Sequence, residues 1–213
     1  MEKYFGKKSI IYSGNPVKTI TISNKPKIKR NILLITGGSQ GSKKLNLDIL
    51  TLLPLLKELK LEIVWSTGKH NYESIYQSLK PHVHKNNIII YEGLNIRLEP
   101  YIDDLSNLLP EVKIAISRAG AMSISELIAN EIPTIYIPYP YATHNHQYEN
   151  AKFITDNQAG LLLNETEVQP TIMHMMINTL ISGYQNYCNN IKKLNTNSAI
   201  DQIVTELSNR GYL

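Results

Sequence analysis

The sequence ILLITGGSQGS at residues 32–42 decides the fold class, because an apolar run enters a glycine-rich turn and then a helical pattern. The stretch AISRAGAMSISE at residues 115–126 repeats this order of strand, small-residue turn and helix start. In each unit a helix N-terminus, whose first N–H groups have no partner inside the helix, follows the carboxyl end of a strand. Such an N-terminus suits phosphate groups. Two of them in one parallel sheet predict a pocket for a nucleotide diphosphate.

Strands and helices alternate along most of the chain. Apolar stretches predict strands at 31–36, 61–66, 88–91, 112–117, 134–137 and, more weakly, 160–163. Helical patterns lie at 43–58, 70–79, 101–108, 122–130 and 146–157, and then at 170–181, 184–194 and 198–209. The strands are short and lack polar alternation, which is typical of parallel strands covered on both faces. The sequence therefore predicts an α/β fold, a Rossmann-like doubly wound parallel sheet with a helical C-terminal tail.

The segments that follow the strands should carry the function. In a doubly wound sheet, ligands bind beyond the carboxyl ends of the strands. The corresponding segments are residues 37–42, 67–70, 92–102, 118–126 and 138–147, which we expect along one edge of the sheet.

Composition excludes several classes of protein. With 213 residues, 42% of them hydrophobic, the chain can bury one core, or one core with a small appendage. A single cysteine, Cys188, excludes an internal disulfide framework and fits a reducing cytoplasm. No apolar run approaches the about 20 residues that cross a bilayer, so we expect peripheral membrane contact at most. The net charge of +4 is mild, and the basic residues around Pro26 are typical of a solvated linker, so no nucleic-acid partner is expected.

The glycine turn at Gly37–Gly41 has two interpretations. It lacks the Gly-Lys-Ser/Thr of a Walker loop, and it does not match the dinucleotide fingerprint. A tight strand-to-helix turn that needs glycine for its backbone geometry explains it as well as a phosphate site does.

The helix start at residues 123–126 also has two interpretations. Ser123 and Glu126 fit a capping box, in which Ser123 caps the helix and Glu126 bonds back to its N–H, and pattern alone favours this. In the alternative, the Glu126 carboxylate accepts two hydrogen bonds from a sugar diol beside amides that hold a diphosphate. Arg118, directly after the strand, would then add positive charge to the site.

Other polar clusters favour no catalytic or metal site. His144 with His146, and His82 with His84, lack the Cys, Asp or Glu companions that would complete a zinc site, so no metal is expected. The pair Asp103–Asp104 is interpreted as first-turn acids that complement a helix dipole rather than as paired catalytic carboxylates.

Taken together, these residues resemble the MurG family of bacterial glycosyltransferases, which add N-acetylglucosamine (GlcNAc) to a membrane-borne muropeptide precursor, lipid I. The resembling pieces, in the family's order, are Gly14–Val17, Gly37–Gly41, Thr67–Lys69, Tyr101–Asp104, Ser117–Glu126, and His146–Gln147 followed by Asn150–Ala151. The resemblance is to the nucleotide-sugar-binding half, the C-terminal Rossmann-like domain of a two-domain GT-B enzyme. It implies an interdomain or linker segment at 1–30, a UDP-sugar-binding domain at 31–197 and a C-terminal helix at 198–213.

The resemblance also implies roles for individual residues. Ser39 approaches the donor phosphate, with Gly37 and Gly38 beside it, and the backbone of Ile102 meets the uracil. The helix start receives the diphosphate and ribose through Ala121, Met122, Ser123, Ile124, Ser125 and Glu126, with Glu126 as the ribose-binding carboxylate. Gln147 contacts the GlcNAc hydroxyls. Lys18 falls where the family usually has arginine, so it keeps the charge but loses the bidentate fork.

For the whole reaction the resemblance implies a second domain. The resemblance places the start of this sequence near the interdomain joint, and we expect the acceptor loop, the catalytic base and the membrane-docking surface to belong to the preceding domain. The expected partners are UDP-GlcNAc and, through a missing or separate N-terminal domain, lipid I, in the cytoplasm or on the cytoplasmic face of the membrane. No cofactor is expected, since GT-B enzymes hold the diphosphate without a metal. Three alternatives stay open: a donor-binding subunit of a split GT-B transferase, a non-catalytic nucleotide-sugar sensor or remnant, and a related glycolipid galactosyltransferase.

Overall fold

The computed structural model describes residues 14–17, 30–83, 89–194 and 199–212. The strands are β1 (Ile32–Thr36), β2 (Glu62–Ser66), β3 (Ile89–Tyr91), β4 (Leu94–Glu99), β5 (Val112–Ser117), β6 (Thr134–Tyr136) and β7 (Leu161–Leu162). The helices are α1 (Lys43–Leu56), α2 (Lys69–Leu79), α3 (Leu105–Leu108), α4 (Ala121–Ala129), α5 (His146–Asp156), α6 (Pro170–Ser182), α7 (Tyr184–Leu194) and α8 (Ala199–Asn209).

These strands form one sheet in the order β3-β4-β2-β1-β5-β6-β7. All neighbouring pairs are parallel except β3 with β4. Thr36, the last residue of β1, pairs with Ser66 of β2 and with Ser117 of β5. Because three central strands end at the same level, the segments that follow them meet at one edge of the sheet.

Helices cover both faces of the sheet, and each face has its own hydrophobic core. Leu33 and Ile35 of β1 pack into one core with α1, α2 and α6, whereas Leu34 packs into the other with α4, α5 and α7. This arrangement explains why the strand is apolar at successive positions. The predicted doubly wound sheet and the C-terminal helices are confirmed. The predicted division of the chain at residues 30 and 197 stays a prediction.

One strand was absent from the sequence prediction. We expected residues 92–102 to form a loop after a parallel strand, but Leu94–Glu99 is strand β4, and β3 is its antiparallel partner. Glu92 and Gly93, both with positive φ (45° and 89°), make the tight turn between them. In β4, buried Leu94, Ile96 and Leu98 alternate with exposed residues. The ligand-side exit is therefore the shorter segment that begins after Glu99.

Two helices differ in length from their predictions. Helix α1 contains Pro54, which has no N–H to donate to the carbonyl of Leu50, and the helix ends two residues later at Leu56. The helix predicted at 101–108 is reduced to α3. Among the described residues, none of the helices is long and apolar enough to cross a bilayer.

Candidate functional site

The glycine turn between β1 and α1 packs directly against the turn that follows β2. A Cβ at Gly41 would lie 2.2 Å from the carbonyl oxygen of Thr67, and one at Gly68 would lie 2.5 Å from that of Gln40. Both glycines have positive φ, 72° and 85°. At Gly41 and Gly68, glycine is therefore required by backbone geometry.

A buried polar network supports this turn from below. The Asn46 side chain donates to the Thr67 carbonyl at 2.8 Å and accepts from the Trp65 indole N–H at 3.0 Å. Asn46 is 1% exposed, so both of its bonds are shielded from water. The network fixes the end of β2 to the first turn of α1.

Two helix N-termini reach the same edge of the sheet. Ser42 caps α1, and its hydroxyl accepts the Leu45 N–H at 3.3 Å. Helix α4 begins at Ala121 after Gly120, and its first helical bond runs from the Ile124 N–H to the Gly120 carbonyl at 3.0 Å. The N–H groups of residues 121–123 therefore have no partner within the helix.

The predicted capping box is wrong. Its serine, Ser123, lies inside α4 rather than at the N-cap, which is Gly120, and no side chain caps this helix. The sequence pattern fits Ser123 and Glu126, but the N-cap is Gly120, three residues earlier than the pattern requires. Glu126 is consequently free of the capping role that pattern alone favoured.

A cavity of about 670 Å³ lies between the glycine turn, the segment after β4, and α4. Six of the predicted site residues line it: Gly38, Ser39, Ile102, Met122, Ser123 and Glu126. The remaining lining residues are Leu34, Thr36, Ser66, Tyr101, Asp103, Asp104, Leu105, Ser106 and Leu127. The two sequence units that we expected to converge therefore share one cavity.

The other predicted residues that the structure describes are not among these lining residues. Ile124 is 8% exposed and packs in a hydrophobic core, so its side chain does not face the cavity. Ser125 Oγ donates to the Ala121 carbonyl and accepts from the Asn15 amide, each at 2.9 Å. Gln147 Oε1 accepts the Tyr139 N–H at 3.0 Å.

Three more predicted residues remain besides Arg118. Gly37 opens the glycine turn, at a position where a Cβ would approach the Ser42 nitrogen to 2.6 Å. Ala121 is exposed at the start of α4. Lys18 lies outside the described residues.

Arg118, predicted to add positive charge to the site, is not among the residues that line the cavity. Its side chain is buried, and the guanidinium donates to the carbonyls of Ile137 and Pro138, each at 3.0 Å. It also donates to Ser42 Oγ at 2.6 Å and forms an ion pair with Glu165. Both amino groups of the guanidinium are therefore engaged within the protein, and the added positive charge at the site stays a prediction.

Glu126 is half-buried in the cavity wall, and its carboxylate makes no hydrogen bond or ion pair with any described residue. Burial raises the pKa of this carboxyl above its ordinary value of 4.5. A carboxylate only accepts hydrogen bonds, so its unused oxygens suit hydroxyl donors and repel phosphates. The chemistry of the site is therefore divided between amide donors at the helix starts and this acceptor one helical turn further on.

Sequence reasoning missed several lining residues. Thr36 and Ser66 are the last residues of their strands, a position that identifies them once strand ends are known. Asp103 and Asp104 precede α3 rather than lying in its first turn as predicted; Asp104 is the N-cap, and its carboxylate accepts from the Ser106 and Asn107 side chains. Tyr101 is 40% exposed, an unusual position for a large aromatic side chain. Within the described residues, no three His, Cys, Asp or Glu side chains are grouped as metal ligands would be.

This fold and this cavity define the chain as the Rossmann-like half of a GT-B glycosyltransferase. Within that class, the chain belongs to glycosyltransferase family 28, since the model of the glycosyltransferase family 28 C-terminal domain matches residues 32–205.

Several curated relatives share the name UDP-N-acetylglucosamine--N-acetylmuramyl-(pentapeptide) pyrophosphoryl-undecaprenol N-acetylglucosamine transferase. The protein of that name from Carboxydothermus hydrogenoformans is 36% identical over 70% of this chain and 39% of its own length. The one from Lactobacillus helveticus is 31% identical over 93% of this chain and 55% of its own length. The chain thus spans about half the length of the curated relatives that it matches, or less.

Solved structures agree with the fold. Acinetobacter baumannii MurG is 27% identical, with a TM-score of 0.68 over 87% of this chain and 51% of that one. Os79 from O. sativa, in complex with UDP, has a TM-score of 0.62 over 85% of this chain and 42% of that one. At 14% identity, the likeness to Os79 shows the fold alone.

Proposed function

We propose that this chain is the UDP-GlcNAc-binding part of a glycosyltransferase that transfers GlcNAc to lipid I, giving lipid II. One observation carries the proposal: a single cavity joins the glycine turn, the free amides of α4 and the unpartnered Glu126 carboxylate. The names of the curated relatives supply the donor and the acceptor.

Each part of a uridine diphosphate has a matching part of the cavity. The amides near Ser39 and at the start of α4 receive the diphosphate, because helix N-termini attract anions. Glu126 accepts hydrogen bonds from the ribose hydroxyls. The backbone of Ile102 meets the uracil beside the apolar side chains of Leu105 and Leu127. The GlcNAc extends toward the loop that carries Gln147.

The donor site supplies one of the two catalytic needs of glycosyl transfer. Amides and helix dipoles aimed at the diphosphate stabilise the charge that develops on departing UDP. The acceptor hydroxyl also needs a general base. The chain spans about half of its relatives' length, and we assign the base and the lipid-binding surface to the other half. The complete enzyme would work peripherally on the cytoplasmic face of the membrane, and this chain alone would bind the donor without turning it over.

Isothermal titration calorimetry of the purified chain with UDP-GlcNAc, UDP-galactose and UDP tests donor binding. Saturable binding that prefers UDP-GlcNAc to UDP-galactose supports the proposal. The opposite preference would indicate a galactosyltransferase, and the absence of any saturable heat would indicate a remnant that has lost the site.

A transfer assay with lipid I tests the division of labour. The chain alone should produce no lipid II, whereas adding a separately produced acceptor half from a relative should restore transfer. Appreciable transfer by the chain alone would overturn the assignment of the base to the other half.

A further inference from the structure

We propose that Arg118 is a positioning residue that holds the glycine turn and the loop 137–147 in fixed relation, so that the phosphate and sugar parts of the donor bind together. This inference rests on the proposed function. The hydrogen-bond partners of the guanidinium are not among the cavity-lining residues. Its effect on donor binding is therefore indirect, through the segments that it connects.

The contacts of Arg118 reach three segments that are far apart in sequence. One amino group of the guanidinium, Nη1, donates to the carbonyls of Ile137 and Pro138, each at 3.0 Å. The other, Nη2, donates to Ser42 Oγ at 2.6 Å and to the Glu165 carboxylate. With 5% of its surface exposed, the side chain makes these bonds away from water.

The contacts with Ser42 and with Pro138 lie in segments adjoining residues that we assign to donor binding. Ser42 directly follows the glycine turn Gly37–Gly41, which presents Ser39, and it is the N-cap of α1. Pro138 opens the loop in which the Tyr139 N–H bonds Gln147. The guanidinium also lies 5.6 Å from the centre of the Tyr139 ring. One side chain therefore fixes the spacing between the phosphate-facing turn and the sugar-facing loop.

Arginine suits this role through its shape. Its planar fork directs two amino groups toward different partners, whereas lysine carries three donors on one flexible nitrogen. A buried ion pair such as Arg118–Glu165 is weak evidence for stability, because desolvation of both charges offsets their attraction. The Arg118–Glu165 pair instead holds the two segments at a fixed spacing, which an apolar side chain of similar size would not do.

A double-mutant cycle tests the inference, with UDP-GlcNAc affinity as the measurement. If Arg118 positions the loop, Gln147→Ala should weaken UDP-GlcNAc binding about tenfold in the unaltered protein, as expected for one lost hydrogen bond of 1.4 kcal/mol. In the Arg118→Lys background the same substitution should cost less than about threefold, because residues that act through one another are not additive. The binding of UDP should be insensitive to Gln147→Ala in both backgrounds.

Controls separate positioning from general damage. Glu165→Gln keeps the shape of the carboxylate without its charge, and it replaces Arg118→Lys in the cycle if that variant does not fold. Arg97→Lys changes an exposed arginine paired with Glu99 and should leave the Gln147→Ala effect intact. An equal Gln147→Ala factor in all backgrounds, including no effect in any, overturns the inference. Failure of the unaltered chain to bind UDP-GlcNAc would instead overturn the proposed function.

Discussion

Replacing Glu126 with alanine should weaken nucleotide binding while leaving the unliganded fold as stable as before or more so. The carboxylate has no partner among the described residues, so its removal breaks no contact within them. In the complex it would accept two ribose hydroxyls. Hydrogen bonds to charged groups are worth roughly 1.5–3 kcal/mol each when buried, and we take about 2 kcal/mol for the pair in this partly exposed site. The dissociation constant for UDP should therefore rise roughly 30-fold.

Glu126→Gln should have a smaller effect, because the amide keeps one acceptor oxygen but loses the charge. We expect a loss of about 1 kcal/mol, or roughly fivefold in affinity. The matched control is Glu58→Ala, an exposed carboxylate beyond the C-terminal end of α1, where the helix has run away from the cavity edge. Titration calorimetry with UDP measures all three affinities.

The Glu126 carboxyl should lower the free energy of unfolding more at neutral pH than in acid. Burial raises the pKa of its carboxyl above 4.5, so the folded state holds this proton at a pH where the unfolded chain has released it. The buried charge therefore costs stability at neutral pH, and the cost disappears as the pH falls through the folded-state pKa toward 4.5. Denaturant unfolding of Glu126→Gln should show greater stability than the unaltered chain at neutral pH, with a difference that closes in acid.

One combination of results would contradict the proposed role of Glu126 in nucleotide binding. If Glu126→Ala lowered the unfolding free energy by about 1 kcal/mol and left UDP affinity unchanged, Glu126 would be acting as a helix cap.

Three further predictions test the structure around the site. Gly41→Ala should destabilise the chain by about 3 kcal/mol or more, because Gly41 combines a positive φ with close contact to backbone atoms. Gly38→Ala, also at positive φ but in open space, should cost about 1 kcal/mol, and thermal unfolding compares the two variants. Asn46→Ala leaves the Trp65 indole N–H and the Thr67 carbonyl without a partner, so denaturant unfolding should show a loss of about 2 kcal/mol or more. Burial raises the pKa of the Cys188 thiol, so a thiol reagent should modify it slowly in the folded chain and rapidly in denaturant; equal rates would contradict its burial.

The parts of the fold that sequence predicted well depend on local signals. The apolar strand, glycine turn and helix start at residues 32–43 are consecutive in the chain, and each has a composition that few other structures share. Strand β4 was missed because its polar residues, Asn95 and Arg97, resemble a loop unless their alternation with buried leucine and isoleucine is recognised.

The contacts of Arg118 could not be predicted from the sequence for a different reason. A basic residue directly after a strand faces either the ligand or the interior, and only its partners decide which. Ser42 is 76 positions away and Glu165 is 47 positions away, so no local pattern connects them. The Ser123–Glu126 pattern gave a wrong prediction although all of its residues are close together in the sequence. It matches a capping box, but the N-cap of α4 is Gly120.

The charges around the cavity explain how it would hold a pyrophosphate without a basic lining. Asp103, Asp104 and Glu126 bring three carboxylates to its wall, and no lysine, arginine or histidine is among the described residues that line it. Arg118 pairs with Glu165 and is not among the lining residues. Under the proposed function, the positive potential comes from the free amides and dipole at the start of α4, which places Met122 and Ser123 in the lining, and from the amides near Ser39. Amides hold their direction through the backbone, so this potential depends on the turns that aim the helices. The glycines at 41 and 68 and the contacts of Arg118 are thus part of the binding chemistry, although none of them needs to touch the ligand.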